Sequence, residues 1–187
     1  MPFGYETAWF AVRSDDPHAV ARALGVRTAM PASWCAGLTR AVDEGIFVTP
    51  SVDGWVFAVG VDAFQRGDCQ QVSEALQRLG AACGPAFWFA THARVDVHGW
   101  ACADGQRLVR AYLYEGDQPR VVWDEGDKTP TEQQLGYFED DPRDTSDDDI
   151  KWWPTPADVM RLAKTWTLDP CALGSKASLG TGHLGRL

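Results

Sequence analysis

The apolar positions of this chain change rhythm near residue 86. Before it, short β-rich runs alternate with segments of helical period; after it, β-rich runs follow one another directly. Residues 6–13 (ETAWFAVR) predict a strand. Ser14-Asp15-Asp16-Pro17 then opens a helix in which Asp16 is the N-cap, Pro17 takes the first helical position and Gly25 ends the run. Residues 31–44 (PASWCAGLTRAVDE) predict a second helix, begun by Pro31 and stopped by Gly45, with Gly37 weakening it by about 1 kcal/mol relative to Ala. Residues 46–61 predict a hairpin turning at Ser51-Val52-Asp53-Gly54. Residues 68–79 predict an amphipathic helix with Val72, Ala75, Leu76 and Leu79 on one side and Gly80 as its stop.

From 86 to 124 the pattern predicts an antiparallel meander of three runs, FWFATHARVDVHGWAC, RLVRAYLYE and RVVWD. Ala103-Asp104-Gly105 and Gly116-Asp117-Gln118-Pro119 supply the turns. Residues 125–153 lose apolar period and form an acidic, Pro-containing excursion. Thr155, Pro156 and Asp158 restart order as cap, first position and first turn of a helix through Trp166, whose stripe is Val159, Leu162, Ala163 and Trp166. The Gly- and Ser-rich residues 171–187 predict a loose tail. The late strands are too closely spaced for parallel crossovers. The expectation is an α+β fold: one domain over residues 1–170, with a central, mainly antiparallel sheet and helices packed on one face.

A chain of 187 residues is long enough to bury a real core, and nine Trp argue against disorder. Most of these rings are expected inside, at least six of the nine. The start MPFGYETAWF has neither the basic nor the apolar region of a signal peptide, and no apolar run approaches the roughly 20 residues that span a bilayer. Five widely spaced Cys without a CxxC pair predict reduced thiols in a cytoplasmic protein with no structural zinc. No nucleophile elbow, zincin helix, phosphate loop or dinucleotide fingerprint is present, so neither a catalytic residue nor a cofactor is predicted.

Charge changes the picture most. Residues 115–149 hold 13 Asp and Glu against Arg120, Lys128 and Arg143, a formal −10, whereas the whole chain is −9. Acid this concentrated attracts a basic partner and repels nucleic acid and anionic membranes. The candidate recognition residues are Asp124, Glu125, Asp127, Glu139, Asp140, Asp141, Asp144, Asp147, Asp148, Asp149 and Trp152. Trp123, Tyr137, Phe138 and Trp153 lie among or beside them and add contact area and cation–π capacity. Trp152 and Trp153 have a second reading, as anchors of the excursion's end on the core. The run 140–149 lacks the Gly and Glu of a calcium loop, and Arg143 interrupts it.

One polar segment offers an alternative. On a continuous strand, His92, Arg94, Asp96, His98 and Trp100 would share a face, with Asp96 and His98 as an acid–base dyad or two metal ligands. A third group would come from the strand holding Arg110 or Tyr112. A plain solvent-facing polar side of the sheet fits the same pattern. Cys102 sits too far along that strand to serve His98 as a nucleophile, up to ~13 Å by strand rise.

The run FATHARVDVHGWACADGQRLVRAYLYEGDQPRVVWDEGDKTPTE, together with ETAWFAVRSDDPHAVARALGV, resembles a family of bacterial cytosolic proteins. Its members look like those encoded beside polymorphic or type VI secreted toxins as cognate immunity proteins. The likeness covers most of residues 6–170 and carries over no catalytic residue. It implies a partner, a secreted toxin, which the local acid further suggests is a basic nuclease domain.

Overall fold

The computed structural model describes residues 5–65, 68–117, 119–135, 153–173 and 180–187. Its centre is β1 (Glu6–Arg13), whose six inner residues are all buried. Ala8, Phe10 and Val12 point to one face of the sheet, Trp9 and Ala11 to the other. A strand buried on both faces must be covered on both. α1 (Pro17–Leu24) and α4 (Cys69–Cys83) therefore cover the first face through Val20, Leu24, Val72, Leu76 and Leu79. α6 (Pro156–Trp166) covers the second through Val159, Leu162 and Ala163. The fold is α+β as expected, but its helices are not confined to one face. The continuous apolar reading of ETAWFAVR was the sign of this.

The remaining elements are β2 (Arg27–Ser33), α2 (Trp34–Glu44), β3 (Ile46–Val48), β4 (Trp55–Val59), α3 (Val61–Gln65), β5 (Ala86–His92), β6 (Val97–Asp104), β7 (Arg107–Glu115), β8 (Arg120–Glu125), α5 (Pro130–Leu135) and β9 (Thr181–Arg186). The strands form a single sheet in the order β2-β9-β3-β4-β1-β5-β6-β7-β8, with every described pair antiparallel.

Helix caps follow the sequence closely. Asp16 accepts from the amides of His18 and Ala19, and Gly25 closes α1 at φ 79°. Thr155 and Asp158 form a reciprocal capping box. The β3–β4 hairpin turns through Asp53 and Gly54, both left-handed at φ 51° and 78°, which is the pair of conformations a two-residue turn requires.

Four further expectations are corrected. The second helix starts at Trp34 under a Ser33 cap, because residues 27–33 form edge strand β2, where Pro31 loses no ladder bond on its outer side. α4 runs past Gly80 to Cys83, and Gly80 is there because a side chain would strike the carbonyl of Gly105 in the β6–β7 turn. Residues 171–187 are not simply loose: 181–186 form β9, inserted between β2 and β3. The excursion also begins later than residue 125, since Glu125 ends β8 and 130–135 form α5. Of the eight described Trp, four are buried outright (Trp9, Trp88, Trp100, Trp123) and four are half-buried against the second-face core.

Candidate functional site

The second face of the β6–β7 ladder carries three cross-strand pairs: Cys102 opposite Arg110, Trp100 opposite Tyr112, and His98 opposite Tyr114. Strand period sets each row on one face. In the middle, Trp100 and Tyr112 stack at 4.7 Å and 20°. A polar cluster lies at either end of that stack.

The first cluster centres on Arg110, which is 1% exposed, and Glu132, fully buried in α5. Arg110 Nε donates to Glu132 Oε1 at 2.7 Å, and Trp100 Nε1 donates to the same oxygen at 2.7 Å. Glu132 Oε2 accepts from the amide and hydroxyl of Thr129, both at 2.8 Å, so the carboxylate also caps α5. The other arm of Arg110 pairs with Asp124 on β8 and donates to the carbonyls of Glu125 and Gly126 at 3.0 and 3.2 Å. One guanidinium thus ties β7 to β8, to the loop that leads out of the sheet at Gly126 and to α5. Burying charge this deeply is tolerable only when the polar atoms are matched, as they are here. Beside it, Cys102 is pushed up to about 11, first by burial and then by the Glu132 charge, so its thiol stays protonated and poorly nucleophilic.

The second cluster sits at the opposite end of the ladder. Asp96 and His98 do meet, with Asp96 Oδ1 and His98 Nε2 at 3.0 Å. The premise of one continuous strand is wrong, however. Residues 93–96 form a turn between β5 and β6, which Asp96 closes at φ 49°. His92 and Arg94 therefore do not line up with His98. The other partners are Thr91 Oγ1 on β5, 3.0 Å from His98 Nδ1, and the Tyr114 hydroxyl, 3.5 Å from Asp96 Oδ2. An ionised Asp96 can only accept, so the neutral ring donates from Nε2 and accepts the Thr91 hydroxyl at Nδ1. Thr91 is fully buried and His98 nearly so, which leaves Asp96 as the group the cluster presents to solvent. Tyr114 is raised to about 12 by burial and then by Asp96, and its ring stacks on Trp153 at 4.4 Å.

Burial holds His98 below its ordinary 6.5, although Asp96 pulls the other way. On acidification the unfolded chain binds that proton first. The contribution of His98 to stability is thus complete above about pH 6.5 and declines as pH falls below it. Urea midpoints should drop between about pH 7.5 and about pH 5.5, and His98→Asn should flatten the profile. His183, also lowered by burial and by neighbouring His18, acts with the same sign, so His183→Asn is the companion measurement. An unchanged slope in His98→Asn would remove His98 from this role.

The predicted recognition residues divide sharply. Glu125 and Asp127 are exposed, and Glu125 accepts from Trp123 Nε1 at 2.9 Å. Asp124 pairs with Arg110, whose charge it shares with the buried Glu132, so it is engaged within the fold and weakened as a recognition element. Glu139, Asp140, Asp141, Asp144, Asp147, Asp148, Asp149 and Trp152 lie outside the described residues, as do Tyr137, Phe138 and the 140–149 run weighed for calcium. Trp153 takes the anchoring role through Tyr114. The sequence reading missed Glu132, Thr91 and Tyr114. Of these, Glu132 was signalled by Thr129-Pro130-Thr131-Glu132, a capping-box pattern. Among the described residues no three His, Cys, Asp or Glu converge as a metal site, and no helix is long and apolar enough to cross a membrane. No family model, no curated protein and no solved structure matches this chain.

Proposed function

We propose that this chain is a cytoplasmic immunity protein that binds a cognate secreted toxin, a basic nuclease domain, and blocks its substrate site with an acidic surface. One observation carries the reading: the formal −10 of residues 115–149 in a chain of −9. The resemblance to proteins encoded beside secreted toxins points the same way. Within the described part of that segment, Glu115 pairs with Arg120, Asp124 with Arg110, and Glu132 with Arg110. Asp117, Glu125 and Asp127 remain exposed, and the densest acid follows at 139–149. A nuclease site built for phosphate is basic, and carboxylates placed there compete with substrate.

The first test is whether a gene beside this one encodes a secreted toxin, and the direct one is binding to that toxin and protection against it. Association should slow with salt more than dissociation quickens, because screening acts on the encounter. Replacing Asp147, Asp148 and Asp149 together with Asn should leave stability within about 0.5 kcal/mol per site yet weaken binding by about 2 kcal/mol or more. Full protection by the triple variant, or no binding at micromolar concentration, would sink the reading. The second reading, an enzyme or metal protein, rests on the 3.0 Å contact of Asp96 and His98. Stoichiometric zinc or manganese in the purified protein, with function lost in a folded His98→Ala, would favour it.

A further inference from the structure

At the end of the sheet away from Asp96, α1 and α4 lie side by side and meet the β6–β7 turn. An open cavity of about 670 Å³ runs between them, lined by Arg22, Glu74, Gln77, Arg78 and Gln106 together with three alanines, Ala23, Ala81 and Ala82. A second cavity of about 360 Å³ adjoins it, shares Arg22 and Arg78, and adds Arg27. Together they make one groove with three guanidinium groups, in a chain whose net charge is −9.

The local bonding leaves those groups available. Arg78 Nε donates to Ala23 O at 3.2 Å, which holds its fork across the gap from α4 to the last turn of α1. Among the described residues, the remaining N–H groups of the fork have no acceptor. Glu74 lies one turn before Arg78 but accepts from Gln70 at 3.0 Å instead of pairing with it. Among the described residues neither Arg27 nor Arg78 is ion-paired, and Arg22 reaches Asp16 only at 3.8 Å, with its side chain 73% exposed. The C-terminal end of α1 is capped mostly from within the chain, and it engages one nitrogen of Arg78. Its carbonyls at Ala21, Arg22 and Ala23 are taken by the amides of Val26 and Gly25 and by Arg78. The three guanidiniums outnumber the carboxylates near them, Glu74 in the lining and Asp16 at 3.8 Å from Arg22, and an oxyanion would offset the remaining positive charge through paired N–H bonds. The alanine side chains leave such a ligand room, and the groove stays open to solvent.

We infer that the α1–α4 groove binds an oxyanion-bearing small ligand, a phosphate or a carboxylate, held by Arg22, Arg27 and Arg78 with the amides of Gln77 and Gln106 beside it. The inference is independent of the toxin reading and concerns other residues, so either can fail alone.

The test titrates the full chain with pyrophosphate and, separately, with citrate at low ionic strength, followed by calorimetry. Saturable one-site binding is expected, weakened about tenfold or more in Arg22→Ala/Arg27→Ala, and strengthened in Glu74→Gln. Arg78→Lys keeps the charge but loses the fork and should also weaken binding. Unchanged urea midpoints in the double variant separate loss of the site from loss of the fold. Binding of pyrophosphate alone assigns a phosphate ligand, of citrate alone a carboxylate ligand, and of both a general oxyanion site. No saturation with either up to about 10 mM, or equal binding by the double variant, overturns the inference.

Discussion

Replacing Arg110 with Met should cost this protein about 3–5 kcal/mol of stability, because it removes the partner of a buried carboxylate without removing the carboxylate. Glu132 is fully buried and its two oxygens together accept from Arg110, Trp100 and Thr129. With Met at position 110, Oε1 loses the guanidinium while keeping the indole donor, and the Glu132 charge stays in the core. Asp124, less buried, recovers water on its open side. The carbonyls of Glu125 and Gly126 lose their donor as well, so the path from β8 to α5 loosens together with the pair. The companion variant replaces Arg110 and Glu132 with Met and Asp124 with Asn. It deletes the charges as a set and should be much less damaging than the single change, since matched apolar groups can replace a buried ionic cluster at little cost. Urea unfolding of the wild type and both variants measures the difference. A single-variant loss below about 1 kcal/mol would mean the cluster is not stabilised by the pairing described.

This cluster also shows where the sequence stops being readable. The capping-box pattern of Thr129 and Glu132 is local and could be read. The burial of Glu132 could not, because its other partners, Trp100 and Arg110, stand 32 and 22 residues away. Local signals succeeded elsewhere for the same reason. Asp16, Pro17 and Gly25 bound α1, and Thr155, Pro156 and Asp158 open α6, within a few residues of the groups they satisfy. The turn at 93–96 was missed because it carries no Gly, and Asp96 occupies the left-handed conformation in its place. Pro31 was misassigned because Pro suits both a helix start and an edge strand, and only pairing with β9 separates the two. Of the candidate site, the meeting of Asp96 with His98 was legible and the reason for it was not: a tight turn brings them together, and Thr91 and Tyr114 complete the cluster from neighbouring strands.

The largest departure from the sequence reading gives the second prediction. TGHLGR reads as linker because it has one large apolar residue and two glycines, yet as β9 it bonds to β2 on one side and β3 on the other. The glycines serve the packing. A side chain at position 182 would enter the ring of Phe47, and one at 185 would crowd the backbone of Arg27. Leu184, 5% exposed, completes a small core with Ala41 and Phe47 under α2. Removing residues 181–187 would break both ladders, uncover Phe47 and leave β2 with no neighbour in the sheet. The expected loss is roughly 5 kcal/mol or more, a large part of the 5–15 kcal/mol that holds an ordinary domain together. Leu184→Ala alone should cost about 2–5 kcal/mol through its cavity, and Gly182→Val should be harmful by overpacking. Thermal unfolding of the truncated chain checks the strand, and the two point variants show that the effect comes from packing and not from length. A truncated chain that melted within a few degrees of the full one would return residues 181–187 to the role of a tail.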